Sequence, residues 1–247
     1  MQCEIEEFFP KFIGKYRYDG DQQVVKDVCD RVLKEIPDGH DEWNTNVADE
    51  GLHHFFNISN SSLLRFDERL ENFEKFLLDA STHFFTEILE FELNESKMLI
   101  TDCWMNYCTH EHTWQIKHNH NNCMIVGTYF VDFDEKLHAP LDFYKNTAKD
   151  QVPSMSQMRM PRIANQGNQY TKEVHQSKPE EGMLMIWNAE MLHGYEAIYN
   201  LWKGRRTISM NFLPEIVDNG KYAFKVVPLQ HISPTQLNRR KGLDNNQ

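Results

Sequence analysis

From residue 97 onward the chain breaks into short runs of strand length: "KMLITDCWMNY", "TWQIKH", "MIVGTYFVDF", "LDFY", "GMLMIW", "LHGYEAI", "RRTISMNFL" and "YAFKVV". Each is rich in β-branched or aromatic residues and bounded by polar breaks, the pattern of strands joined by turns. The part before it reads as helix. Asp19 and Asp21 offer caps, and Val24, Val28, Val32 and Ile36 then recur every four residues with Val25 and Leu33 beside them, predicting a helix over 22–36. A second helical stretch over about 62–90, as one helix or two with a break, follows from the stripe Leu63, Phe66, Leu70, Phe73, Leu77, Ala80, Phe84 and Ile88. Residues 37–61 are polar and read as loop with at most one short strand. "EEFFPKFIGKYRY", interrupted by Pro10, suits an edge strand or an extended arm.

Helices followed by about eight strands give an α+β class, and the expected architecture is a double-stranded β-helix (jelly-roll) core braced by the N-terminal helices. No Pro/Gly/Ser-rich linker divides the chain, so one domain is expected over 1–232, with the brace at about 20–92 and the β core at about 97–228. The tail 233–247 is expected to be flexible. Residues 145–181, including "SMSQMRMPRIANQGNQY", form a long polar segment that predicts a lid or binding loop.

Composition narrows the function classes. A net charge of -11 repels phosphate backbones, which disfavours a general nucleic-acid binder without excluding a local basic channel. The cysteines (Cys3, Cys29, Cys103, Cys108 and Cys123) are odd in number and lack CxxC spacing, which suits a reducing cytoplasm better than a disulfide scaffold. There is no run of about 18 apolar residues, so no membrane span is expected. The acidic start "MQCEIEEFFPKF" lacks the basic region of a signal peptide.

Chemistry concentrates in three pieces. In "KHNHNNCMIVGTYFV", His118 and His120 lie two apart just before a strand, so their side chains share a face. "EEGMLMIWNAEMLHGYE" places His193 at the start of a later strand, and "GRRTISMNF" begins a strand about a dozen residues beyond it. A mononuclear Fe(II) site needs three ligands on one face of an octahedron, with the opposite positions open for a co-substrate and O₂. Two ligands from one strand end and a third from a distant strand meet that need.

In this order of pieces the chain resembles the 2-oxoglutarate/Fe(II)-dependent oxygenase superfamily, whose pattern is His-x-Asp/Glu, a long gap, His, and then Arg-x-Ser. It is more closely similar to a phage- and bacterium-associated branch of that superfamily with a His-x-His motif. The matching residues are Trp104 and Asn106 in "CWMNY", Gln115 through "HNHNN", "GTYFV", Gly182, His193 and "RRTISMNF", over roughly 98–213, with a weaker echo in "FFPKF". The resemblance implies a cytoplasmic enzyme, phage-encoded if it follows that branch, in which 2-oxoglutarate chelates Fe(II). Decarboxylation then gives succinate and CO₂ while a C–H bond of a small-molecule or peptide substrate is hydroxylated. It also implies that His118, His120 and His193 ligate the metal.

His120 stands where the superfamily has a carboxylate. Imidazole is a good Fe(II) ligand, and replacing an anion by a neutral ring leaves the metal more positive toward a dianionic co-substrate. A rival reading leaves His120 off the metal, as in iron halogenases. On the last strand, Arg205, Thr207, Ser209 and Asn211 share one face, and Arg206, Ile208, Met210 and Phe212 share the other. The apolar face is expected under the helices, so Arg205 with Thr207 is assigned to the distal co-substrate carboxylate and Arg206 is the runner-up. A guanidinium suits that task because its planar fork meets a carboxylate in two parallel bonds.

Tyr129 and Asn106 are expected to contact the co-substrate, and Trp104, Arg159 and Arg162 the substrate. Core packing competes for Trp104 and Tyr129, and solvated charge for the two arginines. His110 and His112 repeat the His-x-His spacing without a partner at the right interval and read as surface loop. His53, His54 and His231 read as surface or packing residues. Two other functions stay open: a jelly-roll metal-binding protein without turnover, and a three-histidine cupin-like dioxygenase that does not use 2-oxoglutarate.

Overall fold

The structure is a computed structural model that describes residues 10–36, 51–56, 62–145, 172–196 and 200–227. The expected lid core with Arg159 and Arg162, His231, and the tail 233–247 lie outside the described residues. β1 (Gly14–Arg17) leads into α1 (Gln22–Glu35). Asp21 caps α1, its carboxylate accepting from the Gln23 and Val24 amides at 3.0 and 3.3 Å. The helix ends at Ile36, whose backbone is extended ahead of Pro37. β2 (Leu52–Phe55) is the short strand within the polar stretch.

The second helical stretch is interrupted. Short 3₁₀ turns at Leu63–Arg65 and Glu68–Leu70 precede α2 (Glu71–His83), which runs into one π-helical turn at Phe84–Ile88. Asp67 is the breaking residue: its carboxylate accepts from the Arg69 amide and side chain, and it pairs with Arg31 of α1. Those bonds hold its pKa down to about 2.

The strands that follow are β3 (Met98–Cys108), β4 (Ile125–Asp132), β5 (Leu141–Tyr144), β6 (Val174–Ser177), β7 (Met183–Asn188), β8 (His193–Gly194), β9 (Arg206–Pro214), β10 (Ile216–Asp218) and β11 (Ala223–Lys225). They form a six-stranded sheet in the order β1-β7-β4-β9-β3-β2, a three-stranded sheet β6-β5-β8 and a hairpin β10-β11, with antiparallel pairing throughout. Two expectations change here. "TWQIKH" makes no strand and runs beside β8, bridging it at His118 and accepting from the Tyr195 amide at the Gln115 carbonyl. The stretch 145–181 is not loop throughout, because Val174–Ser177 pairs with β5 and extends the smaller sheet by one edge strand.

Two apolar cores flank the larger sheet. On its outer face Val25, Val28 and Val32 of α1 and Phe73, Leu77 and Ala80 of α2 pack on Met105, Ile125, Tyr129, Ile186, Ile208, Met210 and Phe212. On its inner face Val126, Phe130, Met185 and Trp187 pack with Leu141 and Phe143 of the smaller sheet. Strict alternation along β9 serves both layers: Arg206, Ile208, Met210 and Phe212 turn toward the helices, and Thr207, Ser209 and Asn211 turn inward. No helix among the described residues is long and apolar enough to cross a membrane.

Candidate metal centre

His118, His120 and His193 come together at one end of the space between the two sheets. One ligating atom from each ring lies within 4.8 Å of the other two. The backbone assembles them. His118 and His193 exchange hydrogen bonds in both directions, N–H to carbonyl at 2.9 Å each way, and the His120 amide donates to the Ala189 carbonyl at 3.0 Å. Gly194 permits this approach, since a Cβ there would stand 2.9 Å from the carbonyl oxygens of both Gln115 and Ile116.

Each ring has its Nδ1 occupied. His118 Nδ1 meets the Ile116 carbonyl at 2.8 Å, His193 Nδ1 meets the Met191 carbonyl at 2.9 Å, and His120 Nδ1 meets Asn211 Oδ1 at 2.7 Å. Oxygen acceptors require the proton on Nδ1, which leaves each Nε2 with a lone pair. Burial, followed by the neighbouring His118 ring, pushes the His120 imidazole down to about 4. Burial, then His118 and His120, lowers that of His193 well below its ordinary value. These two rings are therefore neutral near pH 7, the state a metal needs. Trp104 lies nearly parallel to the His120 ring, with centroids 5.8 Å apart, and Trp187 meets His193 edge-on at 4.8 Å.

The same cavity is lined by Trp104, Asn106, Gln115, Thr128, Arg205 and Thr207. Arg205 is 3% exposed, and its guanidinium lies over the Tyr195 ring at 4.5 Å and the Phe130 ring at 5.4 Å. Its Nε has no hydrogen-bond partner, and among the described residues no carboxylate pairs with it. Arg206 goes the other way, into ion pairs with Asp132 of β4 and Asp30 of α1.

Asn106 orders the hydroxyls beside Arg205. Its Nδ2 donates to Thr207 Oγ1 at 3.2 Å and Ser209 Oγ at 3.0 Å, while its Oδ1 accepts from His54 Nδ1 at 2.6 Å. Ser209 and Thr128 hydroxyls are 3.2 Å apart. Because Thr207 accepts from Asn106, its own O–H remains to be donated elsewhere.

The structure thus brings together seven of the residues singled out in the sequence: the three histidines, Trp104, Asn106, Arg205 and Thr207. Tyr129 is not among them. It is buried on the helix side against Phe73 and Tyr18, with ring centroids 4.8 and 6.3 Å away, so the expected co-substrate contact is corrected. "IVGTYFVD" is apolar on both faces, so alternation alone does not reveal its inner side; the cavity-facing residue of that pair is Thr128. His54, expected at the surface or in packing, is joined to Asn106 across β2 and β3. Asn211, on the inner face as alternation predicts, also touches His120. His110 and His112 are exposed, as expected of a surface loop.

Residues 102–211 match the family described as "Putative 2OG-Fe(II) oxygenase". No curated protein matches the chain by sequence. Among solved structures, HygX from Streptomyces hygroscopicus with nickel and 2-oxoglutarate bound is similar at a TM-score of 0.52 and 8% identity, covering 82% of each chain. A prolyl hydroxylase from Trichoplax adhaerens, in complex with a hypoxia inducible factor oxygen degradation domain peptide fragment, has a TM-score of 0.49 and 13% identity over 81% of this chain and 83% of that one. A prolyl-4-hydroxylase from Pseudomonas putida has a TM-score of 0.46 and 11% identity over 82% and 91%. The HygX likeness is one of fold.

Proposed function

We propose that this chain, whose residues 102–211 match the family described as "Putative 2OG-Fe(II) oxygenase", hydroxylates a C–H bond of a small-molecule or peptide substrate. O₂ and 2-oxoglutarate are consumed, and succinate and CO₂ are released. The two packed sheets then form one double-stranded β-helix domain. His118, His120 and His193 hold Fe(II) through Nε2, and Arg205 and Thr207 hold the distal carboxylate of the co-substrate.

One observation carries this reading: a buried guanidinium with no carboxylate partner among the described residues shares a cavity with three imidazoles. Burying a charge unpaired is costly unless a ligand supplies the partner. A dicarboxylate that also reaches a metal meets both requirements. The donor set fits as well, because neutral imidazoles suit Fe(II) and three of them leave coordination positions open.

Bound Fe(II) with 2-oxoglutarate would supply the oxidising chemistry; the chain's own residues supply position. The Nδ1 bonds fix the three rings. Arg205 provides charge and a planar donor fork, and Thr207 adds an O–H whose direction Asn106 sets.

Anaerobic titration with Fe(II) and then 2-oxoglutarate tests the proposal. A visible charge-transfer band that needs both, followed by succinate formation on exposure to O₂, is the expected result. A metal-dependent oxidation indifferent to 2-oxoglutarate and to Arg205 would point instead to the three-histidine dioxygenase. Metal binding with no succinate under any substrate would leave a binding protein.

A further inference from the structure

The histidine at position 120 comes with its own support. Asn211 Oδ1 lies 2.7 Å from His120 Nδ1, and Asn211 Nδ2 donates to Asp102 Oδ2 at 3.0 Å. Thr101 Oγ1 donates to the same carboxylate oxygen at 2.9 Å. Asp102 and Asn211 are cross-strand partners on β3 and β9, at the register shift that follows Ile100. The direction of this string follows from its outer end. A carboxylate only accepts, so it selects the NH₂ side of the Asn211 amide. The amide oxygen must then face inward, and an oxygen facing Nδ1 requires Nδ1 to carry the proton. Nε2 is left as the ligating atom, and the parallel Trp104 ring restricts the tilt of the imidazole.

We propose that Asn211 and Asp102 are positioning residues for the metal site, an outer carboxylate–amide pair that makes a histidine serviceable at a position where the wider superfamily pattern has a carboxylate. The inference rests on the reading of the three histidines as metal ligands. His118 and His193 are oriented by backbone carbonyls, which no substitution removes, whereas His120 depends on a side chain. The Asp102 side chain is exposed, so its charge is screened and its contribution is orientation rather than field. Such outer partners of a ligating histidine typically contribute about 10- to 100-fold in metal affinity.

Metal binding itself is the readout, with Co(II) as a spectroscopic probe added to chelator-treated full-length protein, and thermal melting as the check that each variant folds. Asn211→Leu is expected to weaken Co(II) binding roughly 10- to 100-fold and to alter the visible d–d spectrum. Asp102→Asn, which frees the amide to turn over, should weaken it less. The exchanged pair Asp102→Asn with Asn211→Asp restores donor to acceptor at both joints and should recover the affinity. A merely structural role would not predict that recovery. Wild-type Co(II) affinity in folded Asn211→Leu, or an exchanged pair no better than Asn211→Leu, overturns the proposal alone. Wild-type protein that takes up no Co(II) overturns it together with the histidine site.

Discussion

Arg205 and Arg206 are consecutive, yet one guanidinium lies over the Tyr195 and Phe130 rings inside the cavity while the other pairs with Asp132 and Asp30 beneath the helices. Their single substitutions should therefore separate binding from stability. Arg205→Ala should cost about 1.5–3 kcal/mol of co-substrate binding, roughly a ten- to hundredfold loss of affinity. Arg206→Ala should leave that affinity within a few-fold and lower the melting temperature, because Asp30 and the half-buried Asp132 lose the guanidinium and Asp132 keeps Lys26. Anaerobic 2-oxoglutarate titrations and melting curves on both variants decide it. Loss of the co-substrate in Arg206→Ala alone would reverse the assignment.

His118→Ala and His193→Ala should each abolish tight Fe(II) or Co(II) binding while the protein still folds, since the backbone bridge between the two positions does not use their side chains. Near-normal metal affinity in both variants would place the metal elsewhere.

Asn106→Leu should loosen the co-substrate without touching the metal. The Thr207 and Ser209 hydroxyls would lose the donor that orients them, worth about 0.5–1.5 kcal/mol. The expected change is a several-fold rise in the 2-oxoglutarate dissociation constant at unchanged Co(II) affinity. A parallel drop in both affinities would mean that Asn106 merely holds the sheet together.

Metal-free protein should lose stability as the pH falls from about 6.5 to 4. The unfolded chain takes up protons on its histidines near their ordinary value, whereas folded His120 resists until about 4 and His193 is also held well below its ordinary value. Across that window the unfolded state binds more protons, so acidification favours it. The low pKa of Asp67 acts only in more acidic solution, below about 3.8. Urea midpoints of chelator-treated protein across this range provide the measurement; a midpoint that does not fall on acidification would contradict the depressed imidazoles.

What the sequence makes legible here is what depends on local periodicity. The two faces of β9 follow from alternation because one face carries Ile208, Met210 and Phe212 and the other carries Thr207, Ser209 and Asn211. The helix over 22–36 follows from its cap and valine spacing. Tyr129 is illegible for the converse reason: its strand is buried on both sides, so period two carries no label. The strings His54–Asn106–Thr207 and Asp102–Asn211–His120 run across strands that are remote in the chain. No spacing rule connects such residues, and only the register of the sheet places them in contact. The edge strand Val174–Ser177 is hidden in the same way, since its short polar sequence becomes a strand by pairing with β5.

The reciprocal backbone bridge between His118 and His193 has a consequence for assembly. It joins segments between which β4, β5, β6 and β7 lie in the chain, so the ligand set exists only once that long-range pairing has formed. An ion captured there acts as a latch on the finished chain, offering little to its partly folded forms. By mass action, free metal at a hundredfold excess over its dissociation constant would add about 2.7 kcal/mol to the folded state. The supply of metal in the surroundings would then help set how long each copy of the protein survives.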